Sequence, residues 1–205
     1  MPIEKKIIIF DLDGVLINSI KNMEISWKCV SNKYGLNIKF DEYRKNIGLP
    51  FDIITKNLKI KNNRGGIKRS YNFYSKKYFN KIKIYPNVKG VLKYLHKRKY
   101  ITAVITSKDR VRTKKIISLY NLKFKHVLTP NNFIKPKPFP HQIYKIIKQE
   151  KIKKKNCYYI GDMNVDAKFA KNAGVNFIFT TYGYEIKKIK SKIKINNFKE
   201  LKKLF

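Results

Sequence analysis

Short, nearly continuous apolar runs recur along this chain, separated by segments whose apolar residues repeat at helical spacing, and two of the runs end in paired aspartates. Ile7-Ile8-Ile9-Phe10 leads into Asp11 and Asp13, and Tyr158-Tyr159-Ile160-Gly161 leads into Asp162 and Asp166. Such brief apolar runs suit strands covered on both faces. Strands of this kind alternating with helices require βαβ units and a parallel sheet, at whose carboxyl edge ligands bind. The expected fold class is α/β, with a Rossmann-like parallel sheet as core.

The spacing predicts a helix over 19–34, where Ile20, Met23, Trp27, Val30 and Tyr34 share a face and Gly35 ends the pattern. Further helices are expected from Asn87 to about Arg98 and near 110–120, 139–150, 164–173 and 198–205. Strands are expected at 100–105, 125–129, 157–161 and 176–181. Residues 40–83 read as short amphipathic helices without a convincing strand, interrupted at Gly48-Leu49-Pro50 and Asn62-Asn63-Arg64-Gly65-Gly66. The Lys/Ile stretch 186–195 is biased in composition, and Lys151–Lys155 and Lys187–Lys194 are expected to be solvated.

The carboxylate clusters carry the chemical signal. Seven aspartates occur in the chain, and four of them lie in the two clusters, although Lys and Arg total 48 against 13 Asp and Glu. Grouped carboxylates repel one another and persist where a cation, protons or donors compensate. A hard divalent ion such as Mg²⁺ fits, because it takes oxygen ligands and is held by one or two carboxylates plus substrate phosphate. A lone aspartate at a strand end is more often a cap or turn residue, but two tight clusters after two apolar strands exceed that explanation.

The formal charge of +35 raises the question of a polyanion partner. Yet only six of the 48 basic residues are Arg, and the lysines are spread along the whole chain. That distribution, with abundant Ile, Asn, Tyr and Phe, matches an AT-rich coding sequence better than a recognition stripe, and base readout favours Arg. Nucleic acid is therefore expected to bind only non-specifically. No segment approaches the roughly 20 apolar residues of a membrane span, the run at Ile7 is too brief for a signal-peptide core, and Cys29 and Cys157 lack metal or disulfide spacing. The expectation is a soluble cytoplasmic protein.

The segment Phe10-Asp11-Leu12-Asp13-Gly14-Val15-Leu16 resembles the first motif, DxDGxL, of the haloacid dehalogenase-like hydrolase superfamily. Thr106-Ser107 is similar to the second motif, Lys135-Pro136-Lys137-Pro138 to the KPxP form of the third, and Gly161-Asp162 through Asp166 to the fourth, GDxxxD. The resemblance implies a catalytic core over 1–18 and 85–205 with a small α-helical cap inserted at 19–84, and Tyr85-Pro86-Asn87-Val88 resembles the family's return from cap to core. The closest layout is that of the small-cap phosphoglycolate-phosphatase-like members.

The resemblance also implies roles. Asp11 corresponds to a nucleophile that forms an aspartyl phosphate, and Asp13 to the group that protonates the leaving oxygen and then activates water. Thr106 and Ser107 would bind the substrate phosphate, and Lys135 would neutralise the phosphoryl group in transfer. Lys137 is the weaker choice, since the family's lysine precedes the first proline. Asp11, Asp162 and the carbonyl of Asp13 would hold Mg²⁺, with Asp166 supporting the metal waters or the lysine. Arg44, Lys45, Lys56 and Arg64 are candidates in the cap for an anionic substrate group, while His96, His126 and His141 fall outside every motif.

These features imply a Mg²⁺-dependent phosphatase acting on a small phosphorylated metabolite, phosphoglycolate-like or a sugar phosphate. Val15, where the familiar phosphatase form has Thr, also occurs in relatives resembling β-phosphoglucomutase, so a sugar-phosphate mutase is the alternative enzyme. A basic polyanion-binding protein is the alternative of another class.

Overall fold

The computed structural model describes residues 4–130, 135–185 and 189–205. In chain order it contains β1 (Ile7–Phe10), β2 (Ile17–Asn18), α1 (Ile20–Tyr34), α2 (Phe40–Arg44), α3 (Phe51–Asn57), α4 (Arg64–Lys77), β3 (Lys83–Ile84), α5 (Val88–Lys97) and β4 (Ile101–Ile105). Then follow α6 (Arg110–Leu119), β5 (His126–Leu128), α7 (His141–Glu150), β6 (Cys157–Gly161), α8 (Asn164–Ala173), β7 (Asn176–Thr180), β8 (Ile193–Ile195) and α9 (Leu201–Leu204).

Six strands form one parallel sheet in the order β5-β4-β1-β6-β7-β8. β1 is central and all four of its residues are buried, which is why its sequence is continuously apolar. Side chains alternate across the sheet. Ile8 and Phe10 join α5 and the C-terminal Phe198 and Leu201 in one apolar layer, while Ile7 and Ile9 join Ile143, Ile146 and Phe169 of α7 and α8 in the other. Phe10 pairs with Val104 of β4 and with Ile160 of β6, so the three strands end almost level. The next residues, Asp11, Thr106 and Asp162, therefore emerge along a single edge.

Helices α1–α4 pack around an apolar cluster of their own, with Trp27 stacked on Tyr43 at 4.6 Å between ring centroids. Met163 and Tyr184, from the sheet side, complete that cluster. The chain leaves and re-enters the sheet domain through β2 and β3, which pair antiparallel with Ile17 opposite Ile84. No helix among the described residues is long and apolar enough to cross a membrane.

Two short strands depart from the sequence expectation. β3 occupies the end of the segment read as strand-free, and β8 occupies the end of the Lys/Ile stretch, of which 186–188 lie outside the described residues. Each has two or three residues, too few to express a period, and their pairing is set by partners distant in sequence. The C-terminal helix starts as a 3₁₀ turn at Phe198–Glu200 before α9.

Phe169 is fully buried and meets Tyr159 edge-on at 5.1 Å. Phe169→Ala is expected to cost about 3–5 kcal/mol in urea unfolding, against about 0.5 kcal/mol or less for Phe73→Ala, whose ring is 62% exposed. Equal costs would contradict this assignment of the core.

Candidate active site

Beyond β1 the backbone of Asp11 still donates to Ile160 O at 2.9 Å, which fixes Asp11 as an extension of the central strand. The chain then folds back, with Gly14 N donating to Ile17 O at 2.8 Å, and brings Asp13 round beside Asp11. Gly14 has φ +81°, and a Cβ there would lie 2.0 Å from Asp162 Oδ2, so both conformation and space demand glycine. Gly183 presses on the same carboxylate from the other side, where a Cβ would come within 2.2 Å of Asp162 Cβ.

Asp11, Asp162 and Asp166 are buried, and one oxygen from each lies within 4.8 Å of the others. The charge that compensates them is Lys137. Its Nζ lies 3.0 Å from Asp11 Oδ1, 2.8 Å from Asp166 Oδ1 and 3.1 Å from the Tyr159 hydroxyl. Burial works against the Lys137 ammonium, but Asp11 and Asp166 outweigh it and hold the group above its ordinary range. Burial pushes the Asp11 carboxyl up to about 7 despite the pull of Lys137. Asp162 is likewise raised by burial and by the neighbouring Asp166 and Asp11.

The lysine expected at this position was Lys135, and the structure corrects that choice. Lys135 is exposed and lies over the Phe139 ring at 5.1 Å from its centroid. Each lysine is followed by a proline, so local sequence gives them equal standing. What separates them is that Lys137 reaches two buried carboxylates. Lys108 and Lys137 are the buried lysines among the described residues.

The other expected residues converge. Thr106 is buried, its Oγ1 accepting from Lys108 N at 3.1 Å, and Ser107 Oγ donates to Gly48 O at 2.7 Å, tying the sheet edge to the helical segment. Asp166 is fully engaged, since it also takes Tyr159 OH at 3.1 Å and Met163 N at 3.1 Å. Asp162 Oδ2 accepts from Tyr184 N at 2.7 Å, but Asp162 Oδ1 is buried without a hydrogen-bond partner among the described residues. An orphan carboxylate oxygen beside Asp11 has the chemistry of a ligand to a hard cation, so these residues fit a metal.

Sequence reasoning passed over Lys108 and Arg112. Lys108 Nζ lies 3.2 Å from Asp13 Oδ1, which also accepts from Ser19 Oγ. Both basic residues line, with Asp11, Asp13, Thr106 and Lys137, a cavity of about 90 Å³ roofed by residues of the helical segment such as Ile47, Phe51 and Tyr71. The cations nominated in that segment do not line this cavity: Lys45, Lys56 and Arg64 are exposed, and Arg44 Nη2 is 3.4 Å from Tyr184 O. Clefts of about 590 and 640 Å³ elsewhere on the molecule lack the carboxylate cluster.

Residues 8–180 match the family of haloacid dehalogenase-like hydrolases. The chain belongs to that family. It is 28% identical over 194 residues to a phosphoglycolate phosphatase of Pasteurella multocida, covering 87% of each chain. A glyceraldehyde 3-phosphate phosphatase of Pyrococcus furiosus is 26% identical over 195 residues, covering 87% of this chain and 81% of that one. The fold of this hydrolase is shared with a haloacid dehalogenase-like family hydrolase from Streptococcus pneumoniae, at TM-score 0.85 and 17% identity over 98% of each chain. Within the family it stands on the phosphatase branch.

Replacing Lys137 with Met is expected to lower aryl-phosphate turnover by on the order of 10²-fold or more and to reduce stability at neutral pH, because Asp11 and Asp166 lose their counter-charge. Lys135→Ala is expected to change turnover by less than about 3-fold. The reverse ranking would restore Lys135 to the site.

Proposed function

We propose that this hydrolase cleaves compact phosphate monoesters in a Mg²⁺-dependent reaction with an aspartyl-phosphate intermediate on Asp11. The observation that carries the proposal is the meeting of Asp11, Asp13, Thr106 and Lys137 around one cavity of about 90 Å³. In the first step a carboxylate oxygen of Asp11 attacks phosphorus, the ester P–O bond breaks, and the Asp13 carboxyl gives its proton to the departing alkoxide. In the second, the Asp13 carboxylate takes a proton from water, whose oxygen attacks the same phosphorus. Inorganic phosphate leaves and the Asp11 carboxylate is restored.

Lys137 is held against Asp11 and places a fixed positive charge beside the transferring group, in a site too dry to screen it. Thr106 contributes a hydroxyl and Ser107 a backbone N–H to the phosphate oxygens. Asp166 holds Lys137 in place. Asp11, Asp162 and the main-chain oxygen of Asp13 would hold Mg²⁺, which when bound neutralises phosphate charge and favours in-line transfer.

Helices α1–α4 serve in this reading as a cap, with 19–84 as the inserted unit. Ligand pockets for drug-sized molecules run to roughly 300–1,000 Å³, so a cavity of about 90 Å³ favours a short ester such as phosphoglycolate or a triose phosphate. Val15, the residue shared with mutase-like relatives, is fully buried in the apolar layer with Phe10 and Leu16. Its identity answers to packing, so it lends the mutase reading no support of its own.

A phosphate-release panel tests the proposal. Phosphoglycolate and triose phosphates are expected to exceed phosphoproteins and nucleic-acid ends in kcat/KM by on the order of 10²-fold, and chelation of Mg²⁺ to abolish release. Preference for a macromolecular phosphate would refute the size argument, and sugar-phosphate isomerisation without phosphate release would establish a mutase.

A further inference from the structure

Among the described residues three cations line the cavity, Lys108, Lys137 and Arg112. Two are committed to the reacting end. Lys137 is paired with Asp11 and Asp166, and Lys108 with Asp13. Arg112 differs: it lies in the first turn of α6 and reaches across to the helical segment, where its Nη1 donates to Ser75 Oγ of α4 at 2.9 Å. Its Nε pairs with Asp109 Oδ2. Those bonds leave N–H groups of the guanidinium fork unused. Of the remaining roof and wall, Met23, Ile47, Leu49, Phe51, Ile54 and Met163 are apolar, and Tyr43 and Tyr71 bring phenol hydroxyls without positive charge, so Arg112 is the cation left for a second anionic group.

The geometry points to Arg112 as the specificity-determining residue that receives a carboxylate at the end of the substrate remote from the transferring phosphate. This inference rests on the phosphatase reading above and narrows its substrate class to small phosphorylated acids. An arginine can hold a carboxylate through two parallel N–H bonds, and the strength of such a pair grows as water is excluded. Arg112 is suited to this: its side chain is 13% exposed and lines the cavity, whereas its partner Asp109 is 46% exposed and does not line it. The cations of α2–α4 cannot do the same work, because they do not line the cavity.

The test compares 2-phosphoglycolate with ethyl phosphate, which lacks the carboxylate. Arg112→Gln is expected to lower the ratio of their kcat/KM values by on the order of 10²-fold and Arg112→Lys by about 10-fold, since lysine keeps charge without the fork. Ser75→Ala removes the bond from Arg112 to the helical segment and is expected to leave the ratio within about 3-fold. Titrating both esters into Asp11→Asn, with and without Arg112→Gln, reads binding apart from turnover and is expected to show the same selective loss. If Asp11→Asn keeps its turnover, the nucleophile reading falls while the ratio still decides Arg112. Equal loss on both esters, or an unchanged ratio and unchanged binding, would overturn the inference and leave Arg112 as a tether between α6 and α4.

Discussion

The site is organised by one buried ammonium. Lys137 lies between Asp11 and Asp166, and without it two carboxylates would sit in the interior with no compensating charge, a cost of several kcal/mol for each ion that remains charged. Tyr159 completes the arrangement, its hydroxyl on Lys137 and Asp166 and its ring against Phe169 in the core. The same packing that stabilises the sheet thus fixes the position of the buried ammonium. Asp162, immediately after β6, remains with an oxygen that no protein group among the described residues satisfies. Electrostatic tension among these carboxylates is what a bound metal cation would relieve.

Much of the architecture was legible in the sequence because the central strands are buried on both faces. Continuous apolar runs mark β1, β4 and β6, and the helical periods of α1, α6 and α8 are equally plain. The level ending of β1, β4 and β6 turns three separate motifs into one site, and Asp11, Asp13, Thr106 and Asp162 all follow from it. β3 and β8 were not readable, since strands of two or three residues exist only through their partners. The choice between Lys135 and Lys137 was also beyond local sequence, because two adjacent Lys-Pro pairs differ only in which one the fold carries inward.

Charge illustrates the same limit from another side. A chain of +35 offers dozens of lysines as possible anion ligands, and composition cannot rank them. Burial does: among the described residues Lys108 and Lys137 are the lysines withdrawn from solvent, and both touch aspartates of the site. Lining of the cavity likewise separates Arg112 from Arg44, Lys45, Lys56 and Arg64; Arg112 belongs to α6 and meets the helical segment through Ser75. Charges on the outer faces act at long range and are screened by salt, whereas charges lining the site's cavity act on a ligand at contact.

The central claim is that Asp11, poised by Lys137, becomes covalently phosphorylated. Rapid quenching of turnover with radiolabelled phosphoglycolate and Mg²⁺, followed by peptide mapping, tests it most directly. The account predicts label on the peptide carrying Asp11, at the Asp11 side chain, and loss of that label in Asp11→Asn. Sustained turnover with no covalent label, or label on Asp13 or elsewhere, would contradict it.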